Sequence, residues 1–200
     1  MAYIREEILK MIETGVVQAR FQVLHLKHIE YILAAKMRCK RLFIGITYPD
    51  DLFIGQQDLT PEEAEVNRQI FREENPLTYY ERYDMLVQAL EEFGAARDEF
   101  EIVPFPIESP EYILQYLPGD ATYFMTIRDD EDERQKRVLE ALKLNIDVLW
   151  QRTPEEKGVT GSQIRKRIVE GKQWKQLVPK TTYQYVRDHK IDQRIRGELH

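Results

Sequence analysis

Apolar positions along the chain change their spacing repeatedly. Ile4, Ile8, Met11 and Ile12 fall at helical intervals, and Gly15 interrupts them before Val16 and Val17, which predicts a helix over 2–14 and then a strand. A second helix is expected from near His25, with Leu26, Ile29, Ile32 and Leu33 as its buried stripe. RLFIGIT, 41–47, then reads as a buried strand. Residues 48–76 are polar and irregular apart from a short helix opened by Thr60 and Pro61, where Glu63 completes a capping box. Thr78 and Glu81 repeat that signal, and Tyr83, Leu86, Val87 and Leu90 mark the apolar face of the helix that follows. Strands are predicted at 100–103, 121–127 and 146–150, with helices from about 111 and over 131–144. Helices broken at Pro179 fill the stretch from 161, and a charged, frayed tail runs from 188.

Strands alternating with helices predict a doubly wound α/β fold: a five-stranded parallel sheet with helices on both faces and a C-terminal helical segment. In such sheets ligands sit beyond the carboxyl ends of the strands, where the strand order reverses. The 200 residues suggest a single domain, with an N-terminal helix at 1–14, an insertion at 48–76 and the helical segment at 161–200. A content of 29 Lys and Arg against 35 Asp and Glu gives a formal charge of −6, which argues against a nucleic-acid binder. Cys39 is the lone cysteine, so neither a disulfide framework nor a multi-thiolate metal site is expected. Without an apolar run near the ~18 residues a membrane span needs, the expectation is a cytoplasmic protein with no membrane partner.

Two of the four histidines, His25 and His28, stand at the predicted start of the helix after the first strand. Residues three apart on a helix lie about 60° apart around its axis, so both imidazoles can address one point. Unpaired N–H groups and the helix dipole favour an anion there, commonly a phosphate. The alternative is a chance pair on a polar helix face. Zinc is not expected, because no third ligand accompanies the pair. A second anchor lies at GVTGSQIRKRIV, 158–169, where Thr160 and Gln163 form a capping box, Gly161 and Ser162 fill the first turn, and Arg165 follows. A close-approach glycine, a hydroxyl and a guanidinium suit polyphosphate, although a capped helix with a solvated basic face would read the same. Helices after the first and last strands can lie side by side, which would let both seats share one ligand.

ARFQVLHLKH, 19–28, resembles the signature G-R-F-Q-P-x-H-x-G-H of the nucleotidyltransferase superfamily, above all its archaeal-type nicotinamide mononucleotide adenylyltransferases. NPLTYYERYDMLVQALEEFG, 75–94, is similar to that family's N-P-F-T-x-x-E-R helix. GVTGSQIRKRIVEGKQWKQLVP, 158–179, is similar to its S-G-T-E-I-R-R-R-M motif and the W-x-x-L-V-P beyond it. The resemblance implies transfer of AMP from ATP to a phosphorylated small molecule, nicotinamide or nicotinate mononucleotide first. Cytidylyl transfer to a phosphate or phosphonate, or a nucleotide-binding regulator without turnover, are the alternatives. It further implies that His25 and His28 contact the α-phosphate while Arg20, Ser162 and Arg165 hold the β and γ phosphates. Phe21, Gln22, Lys27, Gly161, Gln163 and Ile164 would complete the nucleotide seat, Mg²⁺ would arrive on the triphosphate, and the chain would form a homo-oligomer. Arg82, at the E-R step, reads as a packing or surface arginine, with a tie from its helix to the sheet as the alternative.

Three positions depart from the signature: Ala19 and Lys27 replace glycines and Val23 replaces proline. Lys27 either swings outward toward phosphate or solvent, reshapes the base pocket, or abolishes catalysis. The acceptor end matches less well, with Tyr112 and Arg128 its candidate contacts.

Overall fold

A computed structural model of the chain describes residues 11–47, 60–153, 156 and 158–198. Its strands are β1 (Ile12–Ala19), β2 (Cys39–Thr47), β3 (Phe100–Phe105), β4 (Thr122–Ile127) and β5 (Asn145–Gln151). The helices are α1 (Leu26–Lys36), α2 (Pro61–Glu74), α3 (Tyr79–Glu92), α4 (Asp130–Ala141), α5 (Gly161–Val169), α6 (Lys180–Asp188) and α7 (Ile191–Ile195). The strands form one parallel sheet in the order β3-β2-β1-β4-β5, with helices on both sides. The order runs outward in both directions from the β1/β4 pair, so right-handed crossovers put α1 and α4 on opposite faces. This is the doubly wound architecture the sequence predicts.

The described residues fall into two compact units. One, from 11–18, 30–45, 96–153 and 156, holds most of the sheet; the other, from 19–29, 46–47, 60–95 and 158–198, is mainly helical. In the sheet unit, Val16, Phe43, Phe105, Tyr123 and Met125 pack with Leu139 of α4. Gly15 lies between neighbours, since a methyl on it would come 2.7 Å from the Phe124 ring and 2.8 Å from the Cys39 sulfur. In the helical unit, α3 is tied to α6 by Glu92, which accepts from the Lys180 and Thr181 N–H groups. Thr60, Thr78 and Thr160 each form the capping box read from the sequence, and such caps stabilise by about 1 kcal/mol each. Among the described residues no helix is long and apolar enough to cross a membrane.

Several expectations are corrected. Ile12 to Thr14 belong to β1 rather than to a helix, because the Ile12 N–H donates to the Arg38 carbonyl and pairing outweighs the helical spacing of the isoleucines; the rest of the proposed N-terminal helix, at 1–10, lies outside the described residues, as do 48–59 of the insertion. Leu26 is exposed, whereas Ile29 and Ile32 are buried. Helix α3 buries Arg82, Met85, Leu86, Ala89 and Leu90, a face rotated from the expected Tyr83 and Val87. The helix sought near residue 111 is a 3-10 run, Pro110–Gln115. The C-terminal stretch is not frayed: α7 buries Ile191 and Asp192, and Asp192 accepts from both Arg187 and Arg196.

Candidate functional site

Leaving β1, the chain makes a tight loop, 20–25, before α1 begins. Phe21 takes a left-handed conformation (φ 52°), and the Gln22–Val23 peptide is cis. Phe21, Gln22, Val23, Leu24 and His25 are all buried. Two side-chain contacts hold this loop in the helical unit. The Gln22 carboxamide exchanges hydrogen bonds with the backbone of Leu77, donating at 2.8 Å and accepting at 2.9 Å. Arg82, 2% exposed, donates to the carbonyls of Arg20 (2.9 Å), Thr47 (2.8 Å) and Thr78 (3.2 Å). Gln22 is therefore a scaffold group whose carboxamide faces Leu77, and Phe21 is a buttress whose ring sits edge-on to His28 at 4.9 Å.

The two imidazoles stack, centroids 3.6 Å apart and planes 16° from parallel. Each ring's Nδ1 accepts the other residue's backbone N–H, at 3.4 Å from His25 and 3.3 Å from His28. Accepting at Nδ1 places the proton of a neutral ring on Nε2. The first turn of α1 is thereby capped by its own histidines, and both rings carry an Nε2–H donor suited to an anionic oxygen.

The start of α5 meets this loop. A methyl on Gly161 would lie 2.3 Å from the Gln22 carbonyl oxygen and 3.0 Å from the Val23 nitrogen, so backbone rests on backbone there. Arg165 reaches across to donate to the same carbonyl. Burial, and after it the charge of Arg20, holds the Arg165 guanidinium below its ordinary value, with Glu74 a partial offset. Two arginines drawn together against their mutual repulsion favour a polyanion between them. The Ser162 hydroxyl is exposed and within 3.0 Å of the Thr160 hydroxyl. Lys27, the departure from the signature, lies half-buried along Gly158: a methyl there would come 3.0 Å from its Cε. Beside Arg165 opens a cleft of about 1100 Å³, bordered also by Gln22, Arg72, Asn75 and Lys166.

His25, His28, Arg20, Lys27, Gly161, Ser162 and Arg165 thus gather in the helical unit, around one loop and the helix start that abuts it. Gln163 closes the capping box, exchanging bonds with Thr160. The Ile164 side chain is buried in the core, and its N–H donates to the Thr160 carbonyl. Tyr112 and Arg128 belong to the sheet unit. Tyr112 is exposed, and Arg128 is held in a two-pronged pair by Asp132, at 2.9 Å from both Nε and Nη2, so its charge is already matched. The sequence places Gln22 in the nucleotide seat and reads Arg82 first as packing or surface; in the fold the Gln22 carboxamide bonds Leu77, and Arg82 ties α3 to the end of β2 and to the loop. A signal for Arg82 existed: it stands three, four, seven and eight residues before Met85, Leu86, Ala89 and Leu90, inside the buried stripe.

No family model matches the chain. It is 42% identical over 184 residues to phosphonoformate cytidylyltransferase of Streptomyces viridochromogenes, covering 92% of this chain and 96% of that protein. Nicotinamide-nucleotide adenylyltransferase of Thermococcus kodakarensis is 25% identical over 192 residues, 93% of this chain and 88% of the relative. Among solved structures, a bifunctional NMN adenylyltransferase/ADP ribose pyrophosphatase from Francisella tularensis superposes with a TM-score of 0.62 at 17% identity. That match covers 94% of this chain and about half, 53%, of the other, and at such identity it speaks for the fold.

Proposed function

The chain belongs to the nucleotidyltransferase superfamily, and we propose that within it the protein transfers a cytidylyl group from CTP to a small phosphonate or phosphate. The observation that carries nucleotidyl transfer is the meeting of the loop that leads into the stacked His25–His28 pair with the start of α5, where Gly161 rests on Gln22 and Arg165 donates to the Gln22 carbonyl. A phosphonate oxygen of the acceptor attacks the α-phosphorus in line, the bond from that phosphorus to the bridging oxygen breaks, and pyrophosphate leaves. The two Nε2–H donors meet charge on the α-phosphate, and Arg20, Arg165 and Ser162 take the β and γ phosphates. No protein nucleophile takes part. The groups assigned to the seat are imidazole, hydroxyl and guanidinium without a carboxylate, whereas Mg²⁺ prefers carboxylate and phosphate oxygens, so it would enter as part of the triphosphate substrate.

Cytidine is favoured over adenosine by the 42% identity to a cytidylyltransferase, against 25% to an adenylyltransferase. A physical reason agrees with it. Lys27 fills space beside Gly158 that the glycine of the adenylyltransferase signature would leave open, and a pyrimidine ring needs less room than a purine. The deciding assay follows pyrophosphate release from CTP and from ATP, each with phosphonoformate, nicotinamide mononucleotide and nicotinate mononucleotide. Release from CTP with the phosphonate is expected. Release confined to ATP with a mononucleotide replaces cytidylyl by adenylyl transfer, and CTP binding without release under any pairing leaves a nucleotide-binding regulator.

A further inference from the structure

We infer that Arg82 is a positioning residue for the transfer, acting through the Arg20–Phe21 peptide; the inference rests on the nucleotidyl-transfer reading above. Arg82 lies on α3 and is not one of the groups assigned to phosphate. The residue is nonetheless 2% exposed, and its guanidinium gathers carbonyls from three separate segments: the end of β2 at Thr47, the loop at Arg20 and the cap of α3 at Thr78. Nη1 alone donates to both the Arg20 and Thr47 carbonyls. A fixed planar fork can serve such a set, whereas an ammonium on a flexible stem holds it less rigidly.

The geometry gives this bond a consequence at the seat. A trans peptide is planar with its C=O and N–H pointing opposite ways, so turning the Arg20 carbonyl toward Arg82 turns the Phe21 N–H away from it. The same bond fixes the plane from which the Arg20 side chain departs. Phe21 stands at φ 52°, a conformation bulky residues seldom adopt without outside support. Here the support comes from either side: Arg82 holds the carbonyl before Phe21, and the Gln22 carboxamide is clamped to Leu77 directly after it. Phe21 in turn braces His28. Arg82 therefore sets the orientation of Arg20 and, through Phe21, of an imidazole.

The test compares wild type, Arg82→Ala and Arg82→Lys for CTP-dependent pyrophosphate release and for MgCTP affinity by calorimetry, with folding followed by circular dichroism and Tm. Arg82→Ala is expected to lose about 100-fold in kcat, the scale of an ångström-sized misplacement of reacting groups, and about tenfold in CTP affinity. Millimolar guanidinium should restore at least tenfold of that kcat while methylammonium does not, and Arg82→Lys should fall between wild type and Arg82→Ala. A merely structural arginine would lower Tm and leave kcat of the folded fraction alone. If Arg82→Ala does not fold, Arg82→Lys decides, with at least a tenfold loss of kcat expected at a Tm within a few degrees of wild type. Wild-type kcat and affinity in a folded variant, or an Arg82→Ala defect that guanidinium leaves unchanged, overturns the positioning role. Wild type that binds CTP yet releases no pyrophosphate overturns the transfer reading instead, and the affinities of the variants still decide the role of Arg82.

Discussion

Replacing Gly161 by alanine sets a local rule against a tertiary contact. Alanine favours a helix over glycine by up to about 1 kcal/mol, and the backbone of Gly161 is not in the left-handed region, so α5 alone would gain from the change. The neighbouring loop reverses the sign. The new Cβ would stand 2.3 Å from the Gln22 carbonyl oxygen and 2.8 Å from its carbon, while ordinary contact begins at 3.4 Å. Helix and loop must therefore part by roughly 1 Å, and the atoms in the way are backbone, which no rotamer change relieves. Overpacking of this kind costs about 1–3 kcal/mol. Weakening the bond from Arg165 to the same carbonyl adds to that loss, because hydrogen bonds to charged donors contribute about 1.5–3 kcal/mol. We expect net destabilisation of about 1–3 kcal/mol, or a Tm lower by roughly 3–10 °C for a chain of this size. We also expect kcat/KM for pyrophosphate release to fall about 100-fold, since the loop that leads into the histidines and the helix that carries Arg165, the proposed halves of a phosphate seat, no longer meet in register. Calorimetry and a coupled pyrophosphate assay on one preparation measure both. An unchanged or raised Tm together with normal kcat/KM would refute the backbone contact and the shared seat with it.

Four further outcomes follow from the same geometry. His28→Ala should lower kcat by about 100-fold, as loss of one donor to developing charge does, with Tm lower by only about 2–4 °C through the lost cap; normal turnover removes the imidazole from the chemistry. Arg165→Ala should raise KM for the triphosphate more than it lowers kcat, and an unaltered KM counts against its place beside the β and γ phosphates. Lys27→Gly should raise the ATP-to-CTP ratio of kcat/KM by at least several-fold, whereas a constant ratio means that this side chain does not narrow the base pocket. At high pH the fold should weaken through Tyr123 and Tyr185, whose hydroxyls are pushed up to about 12, chiefly by burial and next by Asp120 and Asp84 respectively. Unfolded tyrosine ionises near 10, so this contribution is whole below about pH 10 and is lost as pH rises toward 12. Urea unfolding at intervals between pH 9 and 12 measures it, and a flat profile contradicts the burial of these phenols.

Composition and periodicity were enough for the alternation of strands and helices, because a parallel sheet with crossover helices imposes the same apolar runs and stripes wherever it occurs. All three capping boxes were legible as well: a threonine three residues before Glu or Gln satisfies backbone donors locally, with no help from distant parts of the chain. The histidine pair and Arg165 could be picked out as residue types at telling positions. That the two seats could share one ligand was inferred from strand order alone, whereas the contact that joins their segments, Gly161 resting on Gln22 from 139 positions away in sequence, shows only in the folded chain. Folding also decided between readings the string leaves equal. The Gln22 side chain faces Leu77 and that of Ile164 the core, Arg128 is paired with Asp132, and Arg82, for which packing and a tie to the sheet both stood open, is buried and donates to the end of β2 and to the loop. Local propensity is encoded within a few neighbouring residues and so shows in the sequence. A side chain's partner is chosen by whichever distant backbone or charge arrives beside it, and only the folded chain fixes that.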